Sequence, residues 1–361
     1  MSTLYDTLVH TKNPANVIQY STITNARNQQ CSVIELQNGD WLCVWSYYFD
    51  AITDASNSEI WARKSTNKGV SWGNAYQIIP IAGGTGGLRH PSLYQKADGD
   101  IVMLVGLEAT DHLSAQIMQY ISDDNGDTFT VVGSIYATSD YESPDYITLA
   151  SNRIFKTQTG RLLFPFHIPT TDAHYSNTGI MVSRVIYSDN EGTDWSVSAT
   201  IMGVSTPALE QLLAEPCIVQ LPNATLLCTM RTRSGYVRIS TSTDNGATWS
   251  NPPTKSATLA LSNSMHSTAY VNGKLIAIGN RVEGATINGV GARIHQDLWK
   301  SEDLGSTWTF VKNITDKSGV YVFAEPIIKE KASSIIVFYD QYPPSGAEQD
   351  LIFQEVNFSE F

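Results

Sequence analysis

No stretch of the 361-residue sequence approaches the run of about 18 apolar residues that a membrane-spanning helix needs, and no membrane partner is expected. Positive charge is also scarce, with 23 Lys and Arg against 35 Asp and Glu and a net charge of −12. Nucleic acid is therefore not expected as a partner, because gripping a phosphate backbone takes a basic face. A small anion stays within reach, since a few arginines gathered in a cleft outweigh the global sign. Cysteine is confined to Cys31, Cys43, Cys217 and Cys228, with no C-x-x-C spacing to suggest zinc. Buried thiols in strands are expected, with disulfides as the alternative. The opening "MSTLYDTLVHTKNPANV" lacks the basic and apolar regions of a signal peptide. A cytoplasmic protein, a virion-associated protein and a secreted protein whose leader has been trimmed all fit it.

Charged residues make up only 16% of the chain, hydrophobic ones 42%, and Thr, Ser, Asn and Gly are plentiful. That balance favours β structure around a substantial core. One short pattern, S-x-[D/N]-x-G-x-x-[W/F], occurs five times: "STNKGVSW" from Ser65, "SDDNGDTF" from Ser122, "SDNEGTDW" from Ser188, "STDNGATW" from Ser242 and "SEDLGSTW" from Ser301. Successive copies begin 57, 66, 54 and 59 residues apart. Asp or Asn and Ser accept hydrogen bonds from the turn, Gly takes a positive φ, and the aromatic folds back onto the sheet. Upstream of each box is a strand–turn–strand stretch such as "SVIELQNGDWLCVW" or "CIVQLPNATLLCTM". A sixth, "PIIKEKASSIIVFYD", has no box after it. The unit predicts four strands, repeated radially: an all-β, six-bladed β-propeller of four-stranded antiparallel blades. The whole chain, 1–361, reads as one domain. The segment from Val17 to Thr24 is expected to complete the last blade.

Five such boxes on six repeats resemble the sialidase (neuraminidase) superfamily, in which they are called Asp boxes or BNR repeats. The resemblance runs from about Gln30 to Tyr339. In that family the boxes lie on the periphery, and the site lies where the inner strands converge. The resemblance implies an exo-sialidase that needs no metal or cofactor. Three arginines hold the substrate carboxylate, a Tyr activated by a Glu is the nucleophile, and an Asp is the acid/base. A guanidinium grips a carboxylate as a planar fork, which Lys does not reproduce.

Carried over residue by residue, Glu215 and Arg231 flank "PCIVQLPNATLLCTM" in the family's order of Glu, strand, turn, strand, Arg, box. Arg293, eight residues before Ser301, matches the third arginine. The first arginine has two candidates. Arg89, in "RHPSLYQKADGD", has the family's spacing to the following Gly, whereas Arg27, in "ARNQQCSVIELQNGD", has the better order along the chain. The acid/base is Asp54 with Arg27, or Asp111 with Arg89; each lies 11 residues before a box. Tyr321 is the nucleophile when counted from the fifth box, and Phe323 or Glu325 takes that place when counted from the strand that follows.

Two other readings compete. A uronate lyase needs a cation to neutralise the carboxylate and a His or Tyr to abstract a proton. His90, His167, His174, His266, Tyr146 and Tyr175 are its candidates. A glycan-binding or phage surface protein without catalysis would use the aromatics for stacking on sugar. Under every reading the partner is carbohydrate, an acidic glycan or polysaccharide.

Overall fold

Among the described residues strand follows strand, with a 3₁₀ turn at Phe358–Glu360. The structure, a computed structural model, describes residues 17–19, 22, 27–49, 56–81, 86–108, 115–137, 147–169, 180–203, 211–280, 282, 296–315, 327–341 and 350–361. After β1 (Val17–Gln19) come β2 (Arg27–Glu35), β3 (Trp41–Tyr48), β4 (Ser58–Ser65) and β5 (Tyr76–Ile79). Next are β6 (Gly87–Gln95), β7 (Ile101–Glu108), β8 (Ala115–Ser122) and β9 (Thr130–Ala137). The third group is β10 (Phe155–Lys156), β11 (Leu162–Pro169), β12 (Met181–Ser188) and β13 (Ser196–Val197). The fourth is β14 (Ala214–Gln220), β15 (Leu226–Arg231), β16 (Arg238–Ser242) and β17 (Thr254–Lys255). The fifth is β18 (His266–Val271), β19 (Lys274–Asn280), β20 (Gln296–Ser301) and β21 (Thr309–Asn313). Last come β22 (Ile327–Glu330), β23 (Ser334–Gln341) and β24 (Asp350–Asn357).

The fold is all-β and propeller-like, built of small antiparallel sheets. Its hydrogen bonding corrects the expectation of six separate sheets. Among the described residues four sheets have four strands each, while β2 to β9 form one sheet of eight. The halves of that sheet meet at a single parallel pairing, Ser58 with Gly87. Glycine explains the junction. A Cβ on Gly86 would stand 2.8 Å from the Glu108 carbonyl oxygen, and one on Gly87 would stand 2.6 Å from the Arg89 guanidinium. Without those methyls the backbone closes up, and the Ser58 hydroxyl donates to the Leu88 carbonyl at 3.0 Å. In the final sheet β1 pairs with the outer side of β24, Val17 opposite Ile352.

Apolar clusters lie between successive groups of strands, fed by the alternation of side chains along each strand. Leu42 shares a cluster with Met103, Val102 with Phe164, Leu163 with Leu226, Leu227 with Leu275, Ile276 with Ile335, and Phe338 with Trp41. The last cluster returns to the first group, where β2 also meets β23 and β24, so the succession closes on itself. The four cysteines are buried free thiols.

The boxes clasp this ring from outside. In the fourth, the Ser242 hydroxyl donates to Asp244 at 2.8 Å and accepts the Gly246 N–H at 2.9 Å. Asp244 accepts the Thr248 N–H at 2.9 Å, and Trp249 is buried. Gly246 has φ +82°, and a Cβ there would meet Leu163 Cδ2 of the preceding sheet at 2.8 Å. Gly126 and Gly305 approach Leu42 and Leu227 in the same way. A box is thus a joint between neighbours as well as a turn. Gly246→Ala is expected to lower the unfolding free energy by about 2–4 kcal/mol, backbone strain and overpacking together. Gly160→Ala, where φ is +95° and nothing lies within 4 Å of the added methyl, isolates the backbone part at about 1–2 kcal/mol. Urea unfolding of both variants measures the difference.

On the inner side, two side chains of the third group reach past their immediate neighbours. The Ser32 hydroxyl of β2 donates to Asn152 Oδ1 at 2.8 Å. Arg153 donates from Nη1 to the Ser267 hydroxyl at 2.9 Å and from Nη2 to the His266 carbonyl at 2.7 Å. A second cavity, about 300 Å³, is lined by Arg153, Cys217, Thr268 and Tyr270.

Candidate functional site

Three inner strands share one irregularity. Pairing slips between Gln29 and Ser32, between Arg89 and Ser92, and between Ala214 and Cys217. Within each slip stands a non-glycine residue with positive φ: Gln30 at 63°, His90 at 55° and Glu215 at 49°. Such a bulge turns its side chain away from the regular alternation, at about 1–3 kcal/mol of local strain. All three side chains line a single cavity of about 380 Å³.

Arg27, Arg89, His90, His167, Glu215 and Arg231, all singled out in the sequence, line this cavity together. Asp54, Asp111, Arg293 and Tyr321 lie outside the described residues, as do Tyr146, His174, Tyr175, Phe323 and Glu325. His266 is not on the wall. Its ring is buried, with Nε2 2.9 Å from the Thr229 hydroxyl, and Ser264 and Met265 face the cavity in its place.

Arg231, at the end of β15, is the most fully defined group. Its Nη1 donates to Glu215 Oε1 at 2.5 Å and its Nε to Asn263 Oδ1 at 2.6 Å. Among the described residues Nη2 has no hydrogen bond. Glu215 Oε2 is buried and likewise has no partner among them. A buried carboxylate oxygen calls for a donor, because leaving it unpaired costs about 1–3 kcal/mol.

The two candidates for the first arginine both reach the site and flank Tyr48. The Arg27 guanidinium lies 4.4 Å from the centre of that ring, and the Arg89 guanidinium 5.9 Å. The Tyr48 hydroxyl donates to Gln30 Oε1 at 3.1 Å, and the His90 N–H donates to the same oxygen at 3.3 Å. Arg27 Nε donates to Gln29. Arg89 is paired from Nη1 with Glu108 and donates from Nη2 to the Ser56 carbonyl at 3.1 Å. Both members of the Arg89–Glu108 pair are buried.

His167, near the end of β11, accepts the Glu215 backbone N–H on Nδ1 at 3.1 Å. Burial lowers its pKa to about 4; Glu215 opposes that shift, and Arg231 and His90 add to it. It is therefore neutral near pH 7.

Sequence reasoning missed Gln30, Glu108 and Asn263. The box offsets point to the arginines, but Glu108 is a single acid at the end of an apolar strand, and only cross-strand register brings it to Arg89. The signal for Gln30 was available: it stands nine residues before Gly39, as His90 stands nine before Gly99.

A family model described as a BNR repeat-like domain matches residues 39–350. No curated protein matches the chain significantly in sequence. Among solved structures, the fold is similar to the Hadza microbial sialidase Hz136 with a TM-score of 0.72 at 16% identity, over 92% of this chain and 66% of that one. It is similar to Trypanosoma rangeli sialidase with a TM-score of 0.70 at 13% identity, over 93% of this chain and 55% of that one. The chain thus spans just under two thirds of the first and about half of the second. The intramolecular trans-sialidase from Ruminococcus gnavus, solved with oseltamivir carboxylate, matches with a TM-score of 0.73 at 13% identity, over 97% of this chain and 99% of that one.

Proposed function

The chain belongs to the BNR repeat-like domain family, and from that membership we propose that it is an exo-acting glycosidase that releases a terminal acidic sugar of the sialic acid class. We take residues 1–361 as one six-bladed propeller domain, with the eight-stranded sheet supplying two blades. The observation that carries the functional reading is the pair of buried Glu215 and half-buried Arg231, in which each partner keeps an unused polar atom beside one cavity.

Arg231 binds the ligand carboxylate through the Nη2 edge that Glu215 and Asn263 leave open. Arg27 is the first arginine of the clamp and Arg293 the third. Arg89 is assigned to the wall, because Glu108 and the Ser56 carbonyl already take its guanidinium. The acid/base is then Asp54, which goes with Arg27, and Asp111 is set aside. Tyr321 supplies the hydroxyl that Glu215 Oε2 lacks. The Tyr321 oxygen attacks the anomeric carbon as Glu215 takes its proton, and Asp54 protonates the departing glycosidic oxygen. Water then attacks the tyrosyl–sugar bond with Asp54 as base, and Tyr321 recovers its proton from Glu215. A phenol nucleophile avoids setting a second carboxylate against the carboxylate of the sugar.

His167 weighs against elimination. Its Nδ1 already accepts an N–H, so the neutral ring carries its proton on Nε2 and offers no lone pair to a uronate. The test is a fluorogenic sialoside assay of the wild type, Glu215→Gln and Tyr321→Phe. Release by the wild type and loss in both variants is the expected result. Activity on a uronic acid polymer in its place favours the lyase, and glycan binding without turnover favours the non-catalytic reading.

A further inference from the structure

The Glu215 bulge needs an anchor. At φ 49° between the shifted pairs Ala214–Arg231 and Cys217–Thr229, the Glu215 N–H has left the regular ladder. His167, from the neighbouring sheet, supplies the acceptor in its place. Its ring is 4% exposed and lines the cavity, and Nε2 makes no hydrogen bond among the described residues. We propose that His167 is a positioning residue locked as the Nε2–H tautomer, aiming Glu215 through Nδ1 and presenting Nε2–H to an uncharged oxygen of the bound sugar. This rests on the reading that the cavity takes an acidic sugar.

Three features support it. A nitrogen that accepts an N–H carries no proton, so the bond to Glu215 excludes both the other tautomer and the imidazolium. The electrostatics agree: burial disfavours the cation, Glu215 favours it, and Arg231 and His90 disfavour it, leaving the pKa near 4. The division of labour also fits, since the arginines take the charged end of the ligand and a neutral donor suits a hydroxyl or carbonyl. The one bond fixes two things together, the aim of the carboxylate that pairs with Arg231 and the direction of a donor into the cavity.

Two substitutions separate these roles, because an Asn oxygen stands near the place of Nδ1 and a Gln nitrogen near that of Nε2. His167→Asn keeps the anchor and loses the donor, so KM for the sialoside rises roughly tenfold with kcat little changed. His167→Gln keeps the donor and loses the anchor, so kcat falls roughly ten- to a hundredfold with a smaller change in KM. His167→Ala suffers both losses. Nitrogen-15 spectra of the imidazole in wild type are expected to show bare Nδ1 and protonated Nε2 throughout about pH 5 to 8. The Nε2 resonance is expected to move when free sialic acid is added. A proton on Nδ1, a titration inside that range, or unchanged kinetics in His167→Ala overturns the proposal. If the wild type turns over no sialoside, the proposed reaction fails while the imidazole spectrum still decides the tautomer. An Nε2 resonance indifferent to both sialic acid and glucuronic acid then overturns the donor role.

Discussion

Arg231→Met lowers kcat/KM on a fluorogenic sialoside by about 10²- to 10³-fold, the loss expected when a charge-assisted fork to the substrate carboxylate is removed. Arg231→Lys recovers little, because an ammonium cannot serve Asn263, Glu215 and a ligand in one plane. Stability falls as well, by about 3–5 kcal/mol, since Glu215 is left as a buried carboxylate without its cation. The two effects separate in the double variant Arg231→Met with Glu215→Gln. Removing the stranded charge restores most of the stability, while turnover stays lost. Unfolding curves and steady-state kinetics on the three proteins decide it. Turnover by Arg231→Met near the wild-type level would remove Arg231 from the site.

Arg89→Met has its main effect on folding. Its guanidinium holds the buried Glu108 carboxylate and the Ser56 carbonyl, and the side chain stands where Gly87 joins the two halves of the long sheet. Stranding Glu108 is expected to cost about 3–5 kcal/mol, and Arg89→Met with Glu108→Leu to regain most of it. Thermal unfolding of the pair of variants measures both. The kinetics also test the choice between the two first-arginine candidates. In the refilled double variant KM stays near the wild-type value if Arg89 is part of the wall. Arg27→Met raises KM steeply if Arg27 holds the carboxylate. The reverse pattern would exchange their roles and make Asp111 the acid.

The boxes were legible because each letter does a local task. Ser242, Asp244 and Gly246 satisfy one another within five residues, and Trp249 closes over them. Their fixed geometry also made them usable as rulers, and counting back 11 residues from Ser242 reached Arg231. Counting failed on the first arginine for a physical reason. Arg89 stands immediately before its bulge and Arg27 three residues ahead of the equivalent one, and along a strand an offset of two residues returns a side chain to the same face. Linear spacing therefore placed Arg27 too early, although both side chains reach the cavity. The junction of Ser58 and Gly87 was also invisible, since it depends on one missing Cβ at each of Gly86 and Gly87. The pairing of Arg89 with Glu108 depends on strand register, which single letters do not carry.

The reach of Asn152 to the first group of strands and of Arg153 to the fifth skips an intervening group each time. Around a closed succession, such a link has to run through the middle. The two links therefore hold the first, third and fifth groups together across the middle, so that parting any two neighbours would still leave these groups tied to one another.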